Sequence, residues 1–192
     1  MKFTYIHIPK CAGHSISGAI KNSKCYVFGH RKKSHWVSET AIKSDIYKFT
    51  CVRNIWDSLL SQYHYMRSNI DAHKTYKKLA LSMDFNEWVA YHRNNQVSVY
   101  PISPSYYIVR EGKIVVDYII RFDTLSQDWK DLRSIIGVNR SLRKLNKGKH
   151  EPYQEYYNKK SIKIVREMYK KDIKLFKMNY KNGVVGLGGA IT

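Results

Sequence analysis

Acidic residues are scarce: 15 Asp and Glu stand against 34 Lys and Arg, for a formal net charge of +19 over 192 residues. That imbalance runs through the whole chain. It favours an anionic partner, whether a nucleotide, a nucleic acid, a sulfated or acidic polymer or an anionic membrane surface, without choosing between them. Cysteine is scarce too, with three residues, Cys11, Cys25 and Cys51, an odd number too small for a disulfide framework. Long apolar runs are missing, and none reaches the length of a membrane span. Met1-Lys2 leads straight into a strand-like segment without a signal-peptide apolar region, so the expected location is the cytoplasm. There is no internal repeat and no low-complexity tract, and the length fits one domain with a proper core.

What is present is concentrated near the start. Residues 3–8 (Phe-Thr-Tyr-Ile-His-Ile) carry the β-branched and aromatic side chains of a strand, and Pro9 ends it because it has no N–H to donate. Lys10-Cys11-Ala12-Gly13-His14-Ser15 follows, with Gly13 allowing a tight path and Ser15-Ile16 opening a helix to about residue 23. Strand, short Lys- and Gly-bearing loop, and helix N-terminus make an anion cradle in which N–H groups, helix dipole and the Lys10 charge converge. The letters are not those of the nucleoside-triphosphate loop, because Lys10 precedes Gly13 instead of following a glycine. Many such loops also bind nothing.

Residues 48–52 read as a second, buried strand. Arg53 leaves its carboxyl end, where ligands of α/β sheets bind. Trp56, Leu59, Leu60 and Tyr63 then fall at helical spacing to about residue 68, and Ser61 lies about two turns into that helix. Arg53 and Ser61 can grip a phosphate together. Alternatively Arg53 pairs with Asp57 and Ser61 is ordinary helix surface.

The two segments, His7-Ile8-Pro9-Lys10-x-Ala12-Gly13-x-Ser15-Ile16 and Val52-Arg53-Asn54-x-Trp56-Asp57-x-Leu59-x-Ser61-x-Tyr63, resemble the two signature segments of sulfotransferases. The likeness is to the branch of carbohydrate sulfotransferases and their small bacterial relatives. It extends through residues 112–123, Leu145-Asn146, Tyr153, Tyr156-Tyr157 and Tyr169-x-x-Asp172-Ile173-x-x-Phe176. It implies an α/β domain over residues 1–180, a P-loop-like parallel sheet flanked by helices, with 181–192 a flexible tail. It also implies transfer of a sulfuryl group from 3′-phosphoadenosine 5′-phosphosulfate (PAPS), used as co-substrate without a metal, to a hydroxyl or amine acceptor, foremost a carbohydrate. Lys10, Cys11, Ala12, Gly13, His14 and Ser15 would hold the 5′-phosphosulfate, and Arg53 and Ser61 the 3′-phosphate. Lys10 would act on the bridging oxygen. Cys11 and His14 stand where the common form has Thr, and Ile55 replaces the usual Pro.

An acceptor must lose a proton, so a base is expected. His35 is the choice, at a position where related bacterial sequences resemble His-Ala-Thr-Ala, and imidazole titrates near neutrality. His30 and His14 are the other candidates. A metal held by His30 and His35 is rejected, since no Cys or acid completes a site. A kinase would need a Walker loop and Mg²⁺-binding acids, and a cysteine phosphatase an Arg where Ser17 stands. A non-catalytic nucleotide- or nucleic-acid-binding protein on the same fold remains as the alternative, although no specific nucleic acid is expected.

For the rest, residues 24–29 suggest a short strand, 85–91 a short helix, and 106–109 with 113–117 a hairpin about Glu111-Gly112. Residues 124–136 suggest a helix stopped by Gly137, 147–150 a basic loop able to close over a nucleotide, and 161–176 a last helix with Ile162, Val165, Met168, Tyr169 and Ile173 inward.

Overall fold

In the computed structural model, residues 1–25, 42–70, 72–143, 151–184, 186 and 188–191 are described. Three parallel strands form the centre: β1 (Phe3–Ile6), β2 (Tyr47–Val52) and β5 (Tyr118–Arg121). Phe3 pairs with Tyr47 and Ile6 with Thr50, while Phe49 pairs with Tyr118 and Val52 with Arg121. All four residues of β1 are buried, as are the last four of β2, so these strands are covered on both faces. Tyr5 and Phe49 stack at 5.1 Å between ring centroids, and Phe49 also meets Trp129. The sheet is mixed α/β in class, mostly parallel and flanked by helices, consistent with the expected architecture.

Each helix boundary has a local cause. The helix α1 (Gly13–Ile20) begins two residues before Ser15, because Ala12 adopts a left-handed conformation (φ 57°, ψ 21°) and turns the chain into the helix there. In α2 (Ile55–Ser68) the Asn54 side chain accepts the N–H of Trp56 and so caps the start. α3 (Lys74–Ser82) follows, then α4 (Phe85–His92), which opens on a reciprocal Asp84–Glu87 capping box. Pro104 starts α5 (Pro104–Ile108), so Tyr106 is helical and not part of the expected hairpin. The hairpin itself is shorter, β3 (Val109–Arg110) with β4 (Lys113–Ile114). Glu111 (φ 50°) and Gly112 (φ 77°) supply the two positive angles of its tight turn. α6 (Leu125–Ile136) stops at Gly137 in the left-handed region, as the sequence implied.

The expected last helix is two. α7 (Lys159–Met168) and α8 (Lys170–Leu175) break at Tyr169 (φ −111°, ψ 25°). The break turns buried Asp172 toward the hydroxyl of Ser103 and the backbone N–H of Ser105, at 2.7 and 2.8 Å. Ser161, Ile164 and Val165 are the buried residues of α7, and the expected Ile162 and Met168, with Tyr169 and Ile173 beyond, pack partly buried against the core. The segment read as a tail also carries structure. β7 (Gly183–Val184) pairs with β6 (Met178–Asn179), and β8 (Gly189–Ala190) pairs antiparallel with β5, giving the sheet order β1-β2-β5-β8. Its glycines are what allow this: Gly188 lies against the Arg121 side chain and Gly183 against the Asp123 carboxylate, where a Cβ would collide. Lys24 and Cys25 are not in a strand, although the Cys25 carbonyl accepts the N–H of Phe3. Residues 26–29 and 147–150 lie outside the described residues. Among the described residues, no helix is long and apolar enough to cross a membrane.

Candidate active site

Two βα junctions meet at the carboxyl ends of β1 and β2. At the first, Lys10 (φ 64°) and Ala12 (φ 57°) are both left-handed around buried Cys11, so the loop folds tightly back before α1. Non-glycine residues in this region are strained, and such strain gathers where a chain must hold an unusual shape. Among the described residues no side chain caps α1, and its first turn carries no acid. The N–H groups of Gly13, His14 and Ser15 thus face the loop with the positive end of the helix dipole. Gly13 must be bare: a Cβ there would lie 1.7 Å from Nε2 of His7.

At the second junction Arg53 is only 9% exposed and held on three sides. Its Nε and Nη2 donate to the two oxygens of Asp57 at 2.6 and 2.7 Å. Its Nη1 donates to the backbone carbonyl of Lys10 at 3.1 Å, and its plane lies 4.2 Å over the Phe122 ring. Of the two readings of Arg53 in the sequence, the Asp57 pair is therefore present. It does not consume the group, since Arg carries five N–H donors and three are engaged here, which leaves two. Ser61, two turns along α2, is half-buried, and its hydroxyl makes no hydrogen bond among the described residues.

The Lys10 ammonium sits 4.2 Å from the centroid of Tyr65, one turn beyond Ser61 on the same helix. Burial, aided by the Arg53 charge, lowers Lys10 to about 8. The corner thus holds two cations close enough to feel each other, with one carboxylate paired to Arg53, a natural receiver for a multiply charged anion. Cys11 behaves differently from a reactive loop cysteine. Burial pushes its thiol up to about 12, although the Arg53 charge, the Arg53 backbone N–H and the Ser58 hydroxyl all favour the thiolate. Buried and pushed toward the neutral thiol, it lacks the exposed, thiolate-favouring setting of a reactive loop cysteine.

A model of the sulfotransferase family matches residues 1–181. The chain belongs to the sulfotransferase family. Searches of curated proteins and of solved structures return no match. Membership makes sulfuryl transfer its chemistry in general terms and transferase its class.

The sulfotransferase chain brings Lys10, Cys11, Ala12, Gly13, Ser15, Arg53 and Ser61 to this one corner. His14 is exposed on the first turn of α1. His35 and His30 lie outside the described residues. Four contributors were missed by the sequence reading: Phe122 beneath Arg53, Tyr65 beneath Lys10, Ser58 beside Cys11, and the Lys10 carbonyl as an Arg53 partner. Tyr65 was findable, lying four residues after Ser61 and so on the same helix face. Phe122 follows β5, and no local pattern ties it to Arg53.

Proposed function

We propose that the protein transfers the sulfuryl group of PAPS to a hydroxyl- or amine-bearing acceptor, with a carbohydrate as the acceptor class. The supporting observation is the hydrogen bond from Arg53 to the Lys10 carbonyl. It brings two signature segments 43 residues apart into contact, so that their cations can act on one anionic ligand. PAPS supplies an activated sulfuryl group on a 5′-phosphate together with a distinguishing 3′-phosphate. The cradle fits such a ligand, since among the described residues no side chain caps α1, the Ser61 hydroxyl makes no hydrogen bond and Arg53 keeps two N–H groups.

In this reading the N–H groups of Ala12, Gly13, His14 and Ser15, with Cys11 packed beneath, receive the 5′-phosphate. Lys10 leaves the Tyr65 ring for the bridging oxygen, where charge grows as the leaving group departs. Nearby phosphates keep it protonated for that task, against the burial that lowers it in the free protein. Arg53 and Ser61 take the 3′-phosphate, which selects PAPS over ATP. Asp57 and Phe122 hold the guanidinium in place before the ligand arrives, so little ordering remains to be done. His35 accepts the acceptor's proton, with His30 and His14 as the other candidates.

The test is calorimetric titration with 3′-phosphoadenosine 5′-phosphate beside AMP and ATP, on wild type and Arg53→Ala. Micromolar binding that requires the 3′-phosphate and vanishes in the variant supports the reading. Binding indifferent to the 3′-phosphate refutes it, and steep salt-dependent binding of generic RNA would then favour a nucleic-acid module.

A further inference from the structure

The helix α3 is held to the body of the protein by one side. Ala80 is its fully buried residue, and Tyr76 and Leu79 pack part-buried against the core beside it. Arg67 of α2 fixes the helix from behind, donating to the Ala80 carbonyl at 2.7 Å. Lys74, Lys77, Lys78, Leu81 and Ser82 face the other way. At about 100° per residue they fall on one stripe, and together they line an open hollow of about 460 Å³. The Lys77 ammonium reaches back to the Asn69 carbonyl at 3.3 Å, which puts Asn69 and the adjoining Ile70 at the edge of the same face.

No residue of α3 is Asp or Glu, so nothing on the helix offsets its lysines. Past its carboxyl end, Asp84 and Glu87 are engaged with each other's backbone in the capping box. Charge alone does not set this face apart, since α7 and α8 carry more Lys and Arg. The company of the lysines does. Ile70 is 90% exposed and Leu81 53%, the most exposed large hydrophobic side chains after Met1 is set aside, among the described residues. No apolar residue of α7 or α8 is exposed. Single exposed aliphatics are ordinary. Two of them flanking three lysines on one face are the composition of a surface that meets headgroups and acyl chains together.

We propose that this face of α3 docks the protein on an anionic phospholipid membrane, with Lys74, Lys77 and Lys78 among the headgroups and Ile70 and Leu81 at the acyl boundary. Lysine stems can lie along that boundary while the ammonium groups stay in the headgroup layer. Such a contact is peripheral and reversible, and salt screens it. A nucleic acid fits less well. Its phosphates would engage the lysines, but the aliphatic pair would go unused, and α3 offers the bases no exposed Tyr, Trp or Phe on which to stack. The proposal goes beyond the transferase reading and does not depend on it.

The experiment is co-sedimentation of the intact protein with vesicles of phosphatidylcholine alone and with about one-third phosphatidylserine added. The wild type should bind the second kind only and release it at high salt. A lysine near an anionic surface is worth about fivefold in affinity, so Lys74→Gln with Lys78→Gln should weaken binding about thirtyfold. Lys159→Gln with Lys160→Gln makes the same change of charge on the exposed side of α7 and should matter by less than about twofold. Ile70→Ser with Leu81→Ser leaves the charge unaltered and should weaken binding about tenfold. All six side chains are exposed, so the variants keep the fold. No binding by the wild type, equal losses in the two lysine pairs, or indifference to the aliphatic pair overturns the proposal. Capture of generic RNA that falls in Lys74→Gln with Lys78→Gln, while vesicles are ignored, overturns it in favour of a nucleic-acid face.

Discussion

Replacing Gly13 by Ala sets helix propensity against close packing, and the structure says which wins. An ideal Cβ would fall 1.7 Å from Nε2 of His7 and 2.3 Å from both Cδ2 and Cε1. Ordinary contact is about 3.5 Å, so the ring must retreat by about 1.8 Å or the start of α1 must shift. The ring is not free to move at no cost, because it stacks on Tyr5 at 5.6 Å, and Tyr5 stacks in turn on Phe49 in the core. Overpacking of this kind costs about 1–3 kcal/mol. The intrinsic advantage of Ala over Gly returns less than about 1 kcal/mol. A net loss of about 1–2 kcal/mol corresponds to a fall in Tm of about 2–8 °C for a chain of this size. Urea and thermal unfolding of Gly13→Ala, His7→Ala and the double variant measure it. The double variant should recover most of the loss, with a coupling of at least about 1 kcal/mol. Gly13→Ala as stable as wild type, or strictly additive variants, would refute the reasoning.

Lys10→Met should stabilise the ligand-free protein at pH 7, where Lys10 is charged in both folded and unfolded chains and bears the burial penalty. Because the folded value is lowered to about 8, the unfolded chain binds the extra proton above that pH. Wild-type stability therefore rises between about pH 8 and 10.5 and the advantage of the variant shrinks, which denaturation at both ends of the window would show. Asp57→Asn leaves the nearly buried Arg53 charge uncompensated and should cost about 3 kcal/mol in urea unfolding. Saturating 3′-phosphoadenosine 5′-phosphate should narrow that gap, and an unchanged gap would argue against Arg53 as the phosphate ligand. Tyr157→Phe removes the donor to the Trp56 carbonyl at 2.8 Å in the core and should cost about 1–3 kcal/mol by the same assay.

The strands β1 and β2 and the helix α2 were legible because their patterns are local: β-branched runs for the first two, helical spacing of Trp56, Leu59, Leu60 and Tyr63 for the third. All four of those helix residues are buried. The positions of Lys10, Arg53 and Ser61 in the fold were legible for the same reason, since each stands at a fixed offset from a strand end, while their roles in binding are part of the proposal. What was missed depends on contacts distant in sequence. The break at Tyr169 follows from a buried aspartate meeting donors near residue 104, and β8 follows from a free edge on β5. Neither leaves a mark in its own few residues, and a Gly-rich segment reads alike whether it dangles or pairs. The left-handed angles at Lys10 and Ala12 were equally hidden, because neither residue type advertises them.

The burial of Cys11 and Cys51 has a practical consequence. Burial raises both thiols, Cys51 well above its ordinary value, while Cys25 is part-exposed. A maleimide dye at neutral pH should consequently attach at Cys25 alone, with no cysteine needing to be engineered out. Cys25 is hydrogen-bonded through its carbonyl to the first residue of β1, the strand that leads directly into the Lys10 loop. A fluorophore there would sit at the far end of that strand from the Lys10 loop. It could follow unfolding by anisotropy on the unaltered sequence.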